Sequence, residues 1–109
     1  MGMVHNEESV ALLAAILTDF GRYEVRLVQE AALTLGRIGD PAAVPALLIA
    51  LENPESGVRW RAAQALEELG GPGAIPAIKA ALAHEEDEFT AQKMREAIES
   101  LEDRPQMSG

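Results

Sequence analysis

Cysteine is absent from the 109 residues of this chain. The sequence therefore excludes disulfide bonds and thiol catalysis, and it fits a reducing compartment. No apolar run is long enough to span a membrane, and the opening residues MGMVHNEES lack the basic and apolar regions of a signal peptide. We therefore predict a cytoplasmic protein that has no membrane partner.

Aromatic residues are scarce, at 4% of the chain, although 48% of its residues are hydrophobic. Alanine and leucine dominate the apolar set. Small aliphatic side chains with few β-branched runs favour packed helices over a sheet. The length suits one domain, so the composition predicts a single all-α domain.

Basic residues are half as numerous as acidic ones, with 9 Lys and Arg against 18 Asp and Glu, and the formal net charge is −9. Nucleic-acid affinity comes largely from Lys and Arg that displace counterions from phosphates, so this excess of acid predicts no nucleic-acid partner. The negative net charge has two interpretations: it attracts a basic partner, or it only keeps the protein soluble. Its densest cluster, Glu85 to Glu88, precedes a predicted helix and would meet the positive end of that helix's dipole.

An internal repeat organises the sequence. Leu27–Leu51 (LVQEAALTLGRIGDPAAVPALLIAL) aligns without a gap with Val58–Leu82 (VRWRAAQALEELGGPGAIPAIKAAL), at an offset of 31 residues. The offset continues in both directions and slips by one residue after Phe89. These matches predict half-repeats at 9–21 and 88–102, full repeats at 24–53 and 57–84, and flexible ends at 1–8 and 103–109.

Each repeat has the pattern of two helices. Leu27, Ala31 and Leu35 share one helical face, and Gly39 then ends the first helix. Asp40-Pro41 opens the second helix, because Asp caps it and Pro in the first turn loses no hydrogen bond. The predicted helices lie near residues 7–20, 24–38, 41–52, 57–69, 73–83 and 88–102.

The repeat resembles the HEAT-like repeats first associated with phycobilin lyases. Their signature runs roughly Val-Arg-x-x-Ala-Ala-x-Ala-Leu-Gly-x-Ile-Gly-Asp-Pro-x-Ala-Val-Pro-Ala-Leu. Residues 58–66 (VRWRAAQAL) match its first half and residues 35–47 (LGRIGDPAAVPAL) its second, and the resemblance covers roughly residues 9 to 102. It implies a short right-handed α-solenoid of about six antiparallel helices, with first helices on a convex side and second helices on a concave side.

The resemblance also implies a polar ladder between an Arg of each repeat and an Asp of each loop. Val28 replaces the Arg in the first repeat, and Gly71 replaces the Asp in the second. Asp40 and Arg59 remain, one from each repeat. We predict that they pair across the repeat boundary as a structural contact.

Two surfaces compete as a partner-binding site. The concave side is lined by small residues and includes Ile49, Asn53 and His84; it is either a shallow groove for a peptide or helix, or simply a close approach of helices. The convex side carries Trp60, the only Trp, between Arg59 and Arg61. This Trp is either an interface anchor or a residue that packs over a neighbouring helix or stacks with an Arg.

No set of residues converges for catalysis, since the chain has two His, no Cys and no phosphate-binding glycine loop. We therefore predict no enzymatic activity, no catalytic residue, no metal and no cofactor. The predicted function is a non-enzymatic protein-interaction or scaffold module whose partner is another protein. The alternative is a small subunit or regulator of a phycobilin-lyase-like or other small-molecule-handling complex. Because nothing precedes the first helix to cover Leu12, this end is predicted to be buried in a homodimer or by another protein.

Overall fold

Helices make up most of the chain. A computed structural model describes residues 6–71 and 73–103, and within these ranges the chain forms six α-helices and no strand. The helices are α1 (Asn6–Thr18), α2 (Val25–Ile38), α3 (Val44–Ala50), α4 (Ser56–Leu69), α5 (Ala74–Leu82) and α6 (Glu88–Asp103). The predicted all-α class is confirmed. None of the helices in this part of the chain is long and apolar enough to cross a membrane.

The ends of the described chain are more helical than the sequence predicts. Helix α1 begins at Asn6, inside the segment 1–8 that is predicted to be flexible, and α6 extends to Asp103. The remainder of the two predicted flexible segments, residues 1–5 and 104–109, lies outside the described residues.

The corner between α2 and α3 follows the predicted turn chemistry. Gly39 adopts a φ of 75°, a backbone conformation that residues with a Cβ rarely adopt. Its N–H donates to the carbonyl of Leu35 at 3.2 Å. The Asp40 carboxylate then accepts a hydrogen bond from the N–H of Ala42 at 2.9 Å. Together these bonds end one helix and begin the next within two residues.

Helix α3 is shorter than predicted because its first turn is a 3-10 helix, Pro41–Ala43. Pro45 has no N–H, so it cannot donate the α-type bond to the carbonyl of Pro41. The N–H of Val44 bonds to that carbonyl instead, in the tighter 3-10 pattern.

The helices pack in two layers, which we call layer A (α1, α3 and α5) and layer B (α2, α4 and α6). In layer B, α2 packs along α4 and α4 along α6, whereas in layer A α1 packs on α3. The molecule measures 42 × 41 × 16 Å along its principal axes, so it is a flat slab. This arrangement is a short α-solenoid, as predicted.

The closest helix pairs across the layers are α1–α2, α3–α4 and α5–α6. The sequence division into full repeats at 24–53 and 57–84 pairs α2 with α3 and α4 with α5 instead. In space, α3 packs more closely on α4 than on α2. The described chain is therefore best understood as three stacked helical hairpins.

Aliphatic side chains from both layers fill the core. Equivalent positions of the repeat are buried together, as the 31-residue offset predicts: Leu35 and Leu66 are fully buried, and so are Leu47 and Ile78. Met94 of α6 is also fully buried, at the C-terminal side of the core. Full burial of one such side chain stabilises the fold by roughly 1.5–3 kcal/mol.

Glycine allows α2 and α4 to approach closely. Gly36 is buried in α2, and a Cβ placed on it would lie 3.0 Å from both the Cα and the Cβ of Ala65 in α4. Because one of those atoms belongs to the backbone, a larger side chain at residue 36 would push the two helices apart.

We expect Gly36→Val to lower the free energy of unfolding by about 1–3 kcal/mol, since it overpacks this contact. Urea denaturation followed by far-UV circular dichroism measures the loss. Arg37→Val places the same side chain at the next, exposed position of α2 and should change stability by no more than about 0.5 kcal/mol. Equal effects of the two substitutions would contradict the close-approach explanation.

Candidate functional site

A groove lies between the C-terminal halves of α3 and α5 in layer A. Its cavity has a volume of about 810 Å³. One side is apolar, and the other carries carboxylates and one imidazole. The lining residues are Leu48, Leu51, Glu52, Asn53, Pro54, Arg59, Ala77, Ala80, Ala81, His84, Glu85 and Glu86.

The groove brings together three of the predicted binding residues, Asn53, His84 and Arg59. His84 is exposed at its rim. Ile49 also lies on α3 and is 48% exposed, but it is not among the lining residues. The carboxylates of Glu52 and Glu86 give the groove a negative charge, which disfavours phosphate and favours cations.

Arg59 forms the base of the groove and ties two loops together. Its Nε and Nη2 donate to the two carboxylate oxygens of Glu85 at 2.7 and 2.8 Å, in a bidentate pair. Its Nη1 donates to the backbone carbonyls of Asn53 and Pro54 at 2.8 and 2.9 Å. The α3–α4 loop is thereby fastened to the α5–α6 loop, and we call this contact the Arg59–Glu85 clasp.

The predicted pair between Asp40 and Arg59 is wrong. Arg59 lies in the first turn of α4, where its guanidinium reaches forward to Glu85. Asp40 lies at the preceding corner and caps its own turn through the N–H of Ala42. The partner across the repeat boundary is therefore Glu85, a residue that the family ladder does not indicate.

Asn53 has a structural role in the loop before α4. It is 5% exposed, and its Oδ1 accepts a hydrogen bond from the N–H of Glu55 at 2.8 Å. Because its backbone carbonyl accepts from Arg59, the residue is committed to the clasp. Asn53 therefore shapes the groove more than it offers a free polar group.

The acidic run before α6 continues the same network. Glu85 Oε2 accepts from the N–H of Asp87 at 3.0 Å, and Asp87 Oδ2 accepts from the N–H of Thr90 at 2.8 Å. The buried Thr90 hydroxyl donates to the carbonyl of Ser56 at 3.3 Å. Asp87 thus caps the N-terminus of α6, and Thr90 holds this end of α6 against the start of α4.

The clasp shifts the pKa values of its members. The hydrogen bonds from Arg59 lower the pKa of Glu85, although burial of that carboxyl opposes the shift. The same interaction raises the pKa of Arg59. The N–H of Thr90 is the largest cause of the lowered pKa of Asp87. Glu85 and Asp87 are therefore held in their charged forms.

A second surface, on layer B, surrounds Trp60. The edge of its ring meets Phe89 of α6, with the ring centroids 5.4 Å apart and the planes at 85°. The Arg61 guanidinium lies 4.2 Å from the Trp60 ring centroid, and Lys93 Nζ lies 5.3 Å from that of Phe89. We call these four residues the cation–aromatic patch.

The patch combines rigid and accessible parts. Arg61 also donates to Gln64 at 3.1 Å, so its guanidinium is fixed over Trp60, which is half-buried. Phe89 is 55% exposed. The predicted residues Trp60 and Arg61 lie here, on the opposite layer from Ile49, Asn53 and His84.

Sequence reasoning missed Phe89 and Lys93 in this patch. Phe89 is the match of Val58 at the 31-residue offset, so periodicity alone assigns it to the core. Thr90 takes the buried place instead, because the register slips by one residue at this point. The one-residue slip in register turns Phe89 toward solvent. In the sequence, the only indication that this face of α6 is exposed is Lys93, which lies four residues later on the same face.

The described residues contain no group of three or more His, Asp or Glu side chains that could hold a metal ion. The layer A groove presents carboxylates and an imidazole, and the layer B patch presents aromatic rings with two cationic side chains.

We expect Arg59→Ala to lower the free energy of unfolding by about 1–3 kcal/mol, because it removes the hydrogen bonds that join the two loops and leaves the carboxylate of Glu85 without its partner. The Glu85 side chain is 1% exposed. Lys79→Ala is the control, since it breaks an ion pair with Glu102 whose side chains are 56% and 49% exposed, and should cost under about 1 kcal/mol. Chemical denaturation compares the two; similar losses would show that the clasp is an ordinary surface pair.

The stability that Glu85 contributes should depend on pH. Its pKa in the folded chain lies below the ordinary value of 4.5, so the contribution is fully present above that value and is lost as the pH falls through the lower folded pKa. Glu85→Gln should therefore make the free energy of unfolding fall less steeply below about pH 4.5. Urea midpoints across this range test it, and an unchanged slope in the variant would argue against a charged Glu85 in the fold.

Solved structures of epoxyqueuosine reductase share this fold. One, in complex with an epoxyqueuosine-modified tRNA-Tyr stem loop, aligns over 83% of this chain with a TM-score of 0.71 and 23% identity. Another, from Bacillus subtilis, aligns over 82% with a TM-score of 0.69 and 23% identity. The chain spans 28% of the length of each. At this identity the likeness shows the fold alone, and no curated protein sequence matches the chain.

These likenesses correct three predictions. The non-enzymatic scaffold function and the absence of enzymatic activity are wrong, because the solved structures that share the fold belong to an enzyme. The exclusion of nucleic acid is wrong as well, since one of those structures holds a tRNA stem loop.

The sequence profile of HEAT repeats matches residues 10–102. It confirms the predicted HEAT-like resemblance and leaves the phycobilin-lyase subtype unconfirmed. With this match over most of its length, and with stacked helical hairpins in the structure, the chain belongs to the HEAT repeat family.

Proposed function

We propose that this chain is the RNA-contacting module of a cytoplasmic enzyme that acts on structured RNA, and that the cation–aromatic patch makes the contact. The observation that carries the proposal is the exposed ring of Phe89, which lies beside the Lys93 ammonium and against the Trp60 ring that Arg61 covers. Aromatic faces stack on unpaired bases, and neighbouring cations pair with the flanking phosphates.

Phe89 is the stacking platform of this proposal. It is 55% exposed, whereas Trp60 is held by Arg61 above its ring and by Phe89 at its edge. Trp60 therefore fixes the orientation of Phe89 in advance, which reduces the ordering cost when a base binds. Each such stacking contact contributes about 1–3 kcal/mol.

Local charge limits how much of the RNA the module contacts. Arg61 and Lys93 supply positive charge at the patch, but the chain as a whole has a net charge of −9. Lys93 also lies 3.7 Å from Glu96, which competes with phosphate. The contact is therefore confined to a base and about two phosphates, and the remaining affinity comes from the catalytic part of the enzyme.

The comparisons support this division of labour. The region of epoxyqueuosine reductase that aligns with this chain is 28% of the reductase polypeptide. One of the two reductase structures contains a tRNA stem loop. The loop of a stem presents unpaired bases that side chains can stack on. A module with one stacking platform fits such a loop better than it fits a duplex.

We expect an RNA stem loop to quench the fluorescence of Trp60, the only Trp in the chain, because the base binds against the neighbouring ring. Phe89→Ala should weaken the binding by about 5- to 150-fold, which corresponds to one stacking contact. The logarithm of the affinity should fall with the logarithm of salt concentration with a slope of about −1.4, as two phosphate contacts on single-stranded RNA require.

Ile49→Ala is the matched control, because Ile49 is 48% exposed but lies on layer A. It should leave both the affinity and the salt slope unchanged. Absence of quenching, or equal effects of the two substitutions, would contradict the proposed function.

A further inference from the structure

The two helix contacts within layer A differ in how tightly they close. Helix α1 packs on α3, whereas α5 packs chiefly on α6, and the groove lies between α3 and α5. The 31-residue offset allows the two contacts to be compared position by position. The residues buried at or beside the first contact are Leu17, Ala46, Ala50 and Asn53. Their equivalents at the second contact all line the groove; three are half-buried and one is exposed, and they are Leu48, Ala77, Ala81 and His84. The groove is therefore a helix contact that the fold leaves open.

The clasp at the base of the groove accounts for this difference. The equivalent of Arg59 in the preceding repeat is Val28, a buried aliphatic residue whose side chain cannot hydrogen-bond to a loop. Arg59 instead reaches from the carbonyls of Asn53 and Pro54 to the carboxylate of Glu85. It thereby fixes the separation of the two loops and keeps open a cavity of about 810 Å³. Small-molecule sites span roughly 300–1,000 Å³, so the cavity has the size of a ligand site.

The lining of the groove combines an apolar floor with unpaired carboxylates. The side chains of Leu48, Ala77 and Ala81 form the floor. Glu52 and Glu86 line the end next to the loops and are exposed, and neither carboxylate has a hydrogen-bond or ion-pair partner among the described residues. The charges of the clasp at the base compensate each other in its bidentate pair. The groove therefore offers negative charge beside hydrocarbon.

We propose that this groove binds a small aliphatic ammonium ion. The hydrocarbon chain of the ligand covers the floor of Leu48, Ala77 and Ala81, and its ammonium group pairs with the carboxylates of Glu52 and Glu86. Both parts of the ligand are needed, because a bare cation leaves the floor in contact with water and an anionic ligand is repelled by the carboxylates. The site lies on layer A, so it is separate from the RNA contact proposed on layer B, and either can fail without the other.

Titration with hexylammonium, followed in two-dimensional amide NMR spectra, tests the proposal. We expect saturable shifts of the backbone N–H signals of Leu48, Ala77 and Ala81, which lie on the floor of the groove. Shortening the chain to butylammonium should weaken the binding by about 2- to 4-fold for each methylene group removed. Hexanoate has the same length and the opposite charge, and ammonium chloride has the charge without the chain. Both should bind at least about 10-fold more weakly than hexylammonium.

Substitutions in the groove separate its two chemical parts. Glu52→Gln and Glu86→Gln should each weaken hexylammonium binding by about 2- to 5-fold, as the loss of one partly exposed ion pair implies. Glu30→Gln is the matched control, because it removes an exposed carboxylate from layer B and should leave the affinity unchanged. Ala80→Ile should fill the groove and weaken the binding at least about 10-fold. The fold should tolerate it, since isoleucine occupies the equivalent position as Ile49 and is exposed there; an unchanged urea midpoint checks this.

Three outcomes would overturn the proposal. Hexanoate that binds as tightly as hexylammonium would show that charge does not select the ligand. Shifts confined to residues outside the groove, or insensitive to Ala80→Ile, would place the binding elsewhere. Nα-acetyl-lysine methylamide carries the same ammonium group on a peptide backbone and should bind more weakly, because the apolar floor offers its amides no hydrogen-bond partner. If it binds as tightly as hexylammonium, the occupant is a lysine side chain and the small-ligand proposal is wrong.

Discussion

The bidentate contact between Arg59 and Glu85 is the interaction on which both candidate surfaces depend. It joins the loop before α4 to the loop before α6, across 26 residues of sequence. By closing these loops on each other, it forms the base of the groove in layer A. The same network, through Asp87 and Thr90, sets the start of α6 against α4 and so brings Phe89 to Trp60. An ion pair that is structural in itself thus determines the geometry of two binding surfaces.

The energetics of the clasp follow from its burial. A carboxylate with 1% exposure would be unstable as an isolated charge, and two guanidinium bonds and one backbone N–H compensate it. Such a pair adds little net stability over an apolar core but is costly to break on one side. Its contribution is therefore to specify one arrangement of α4, α5 and α6, while aliphatic burial supplies most of the stabilisation.

The fold divides the chemistry between its two layers and its two ends. The layer A groove is lined by carboxylates, whereas the layer B patch sets two cationic side chains against aromatic rings, so the two surfaces offer different chemistry. One end of the stack is closed by polar residues of α6, and the other end exposes leucines at positions that are buried one repeat later. The chain spans 28% of the length of the epoxyqueuosine reductase chains that share its fold.

The positions of the helices, the repeat and most of the core could be predicted from the sequence. Apolar periodicity, Gly39 and Asp40-Pro41 are local signals, because a helix stripe, a left-handed glycine and a cap each act within a few residues. The partner of Arg59 could not be predicted from the sequence, because several carboxylates lie at comparable distances along the chain. Only the packing of the helices brings Glu85, and not Asp40, to the Arg59 guanidinium. The tertiary structure likewise decided that Phe89 points outward, since the one-residue slip is resolved by whether Thr90 or Phe89 fits against α4. The exposed face at the N-terminal end required both the sequence and the structure. The repeat indicates which positions are equivalent, and only the stacking of the hairpins shows which of them are covered.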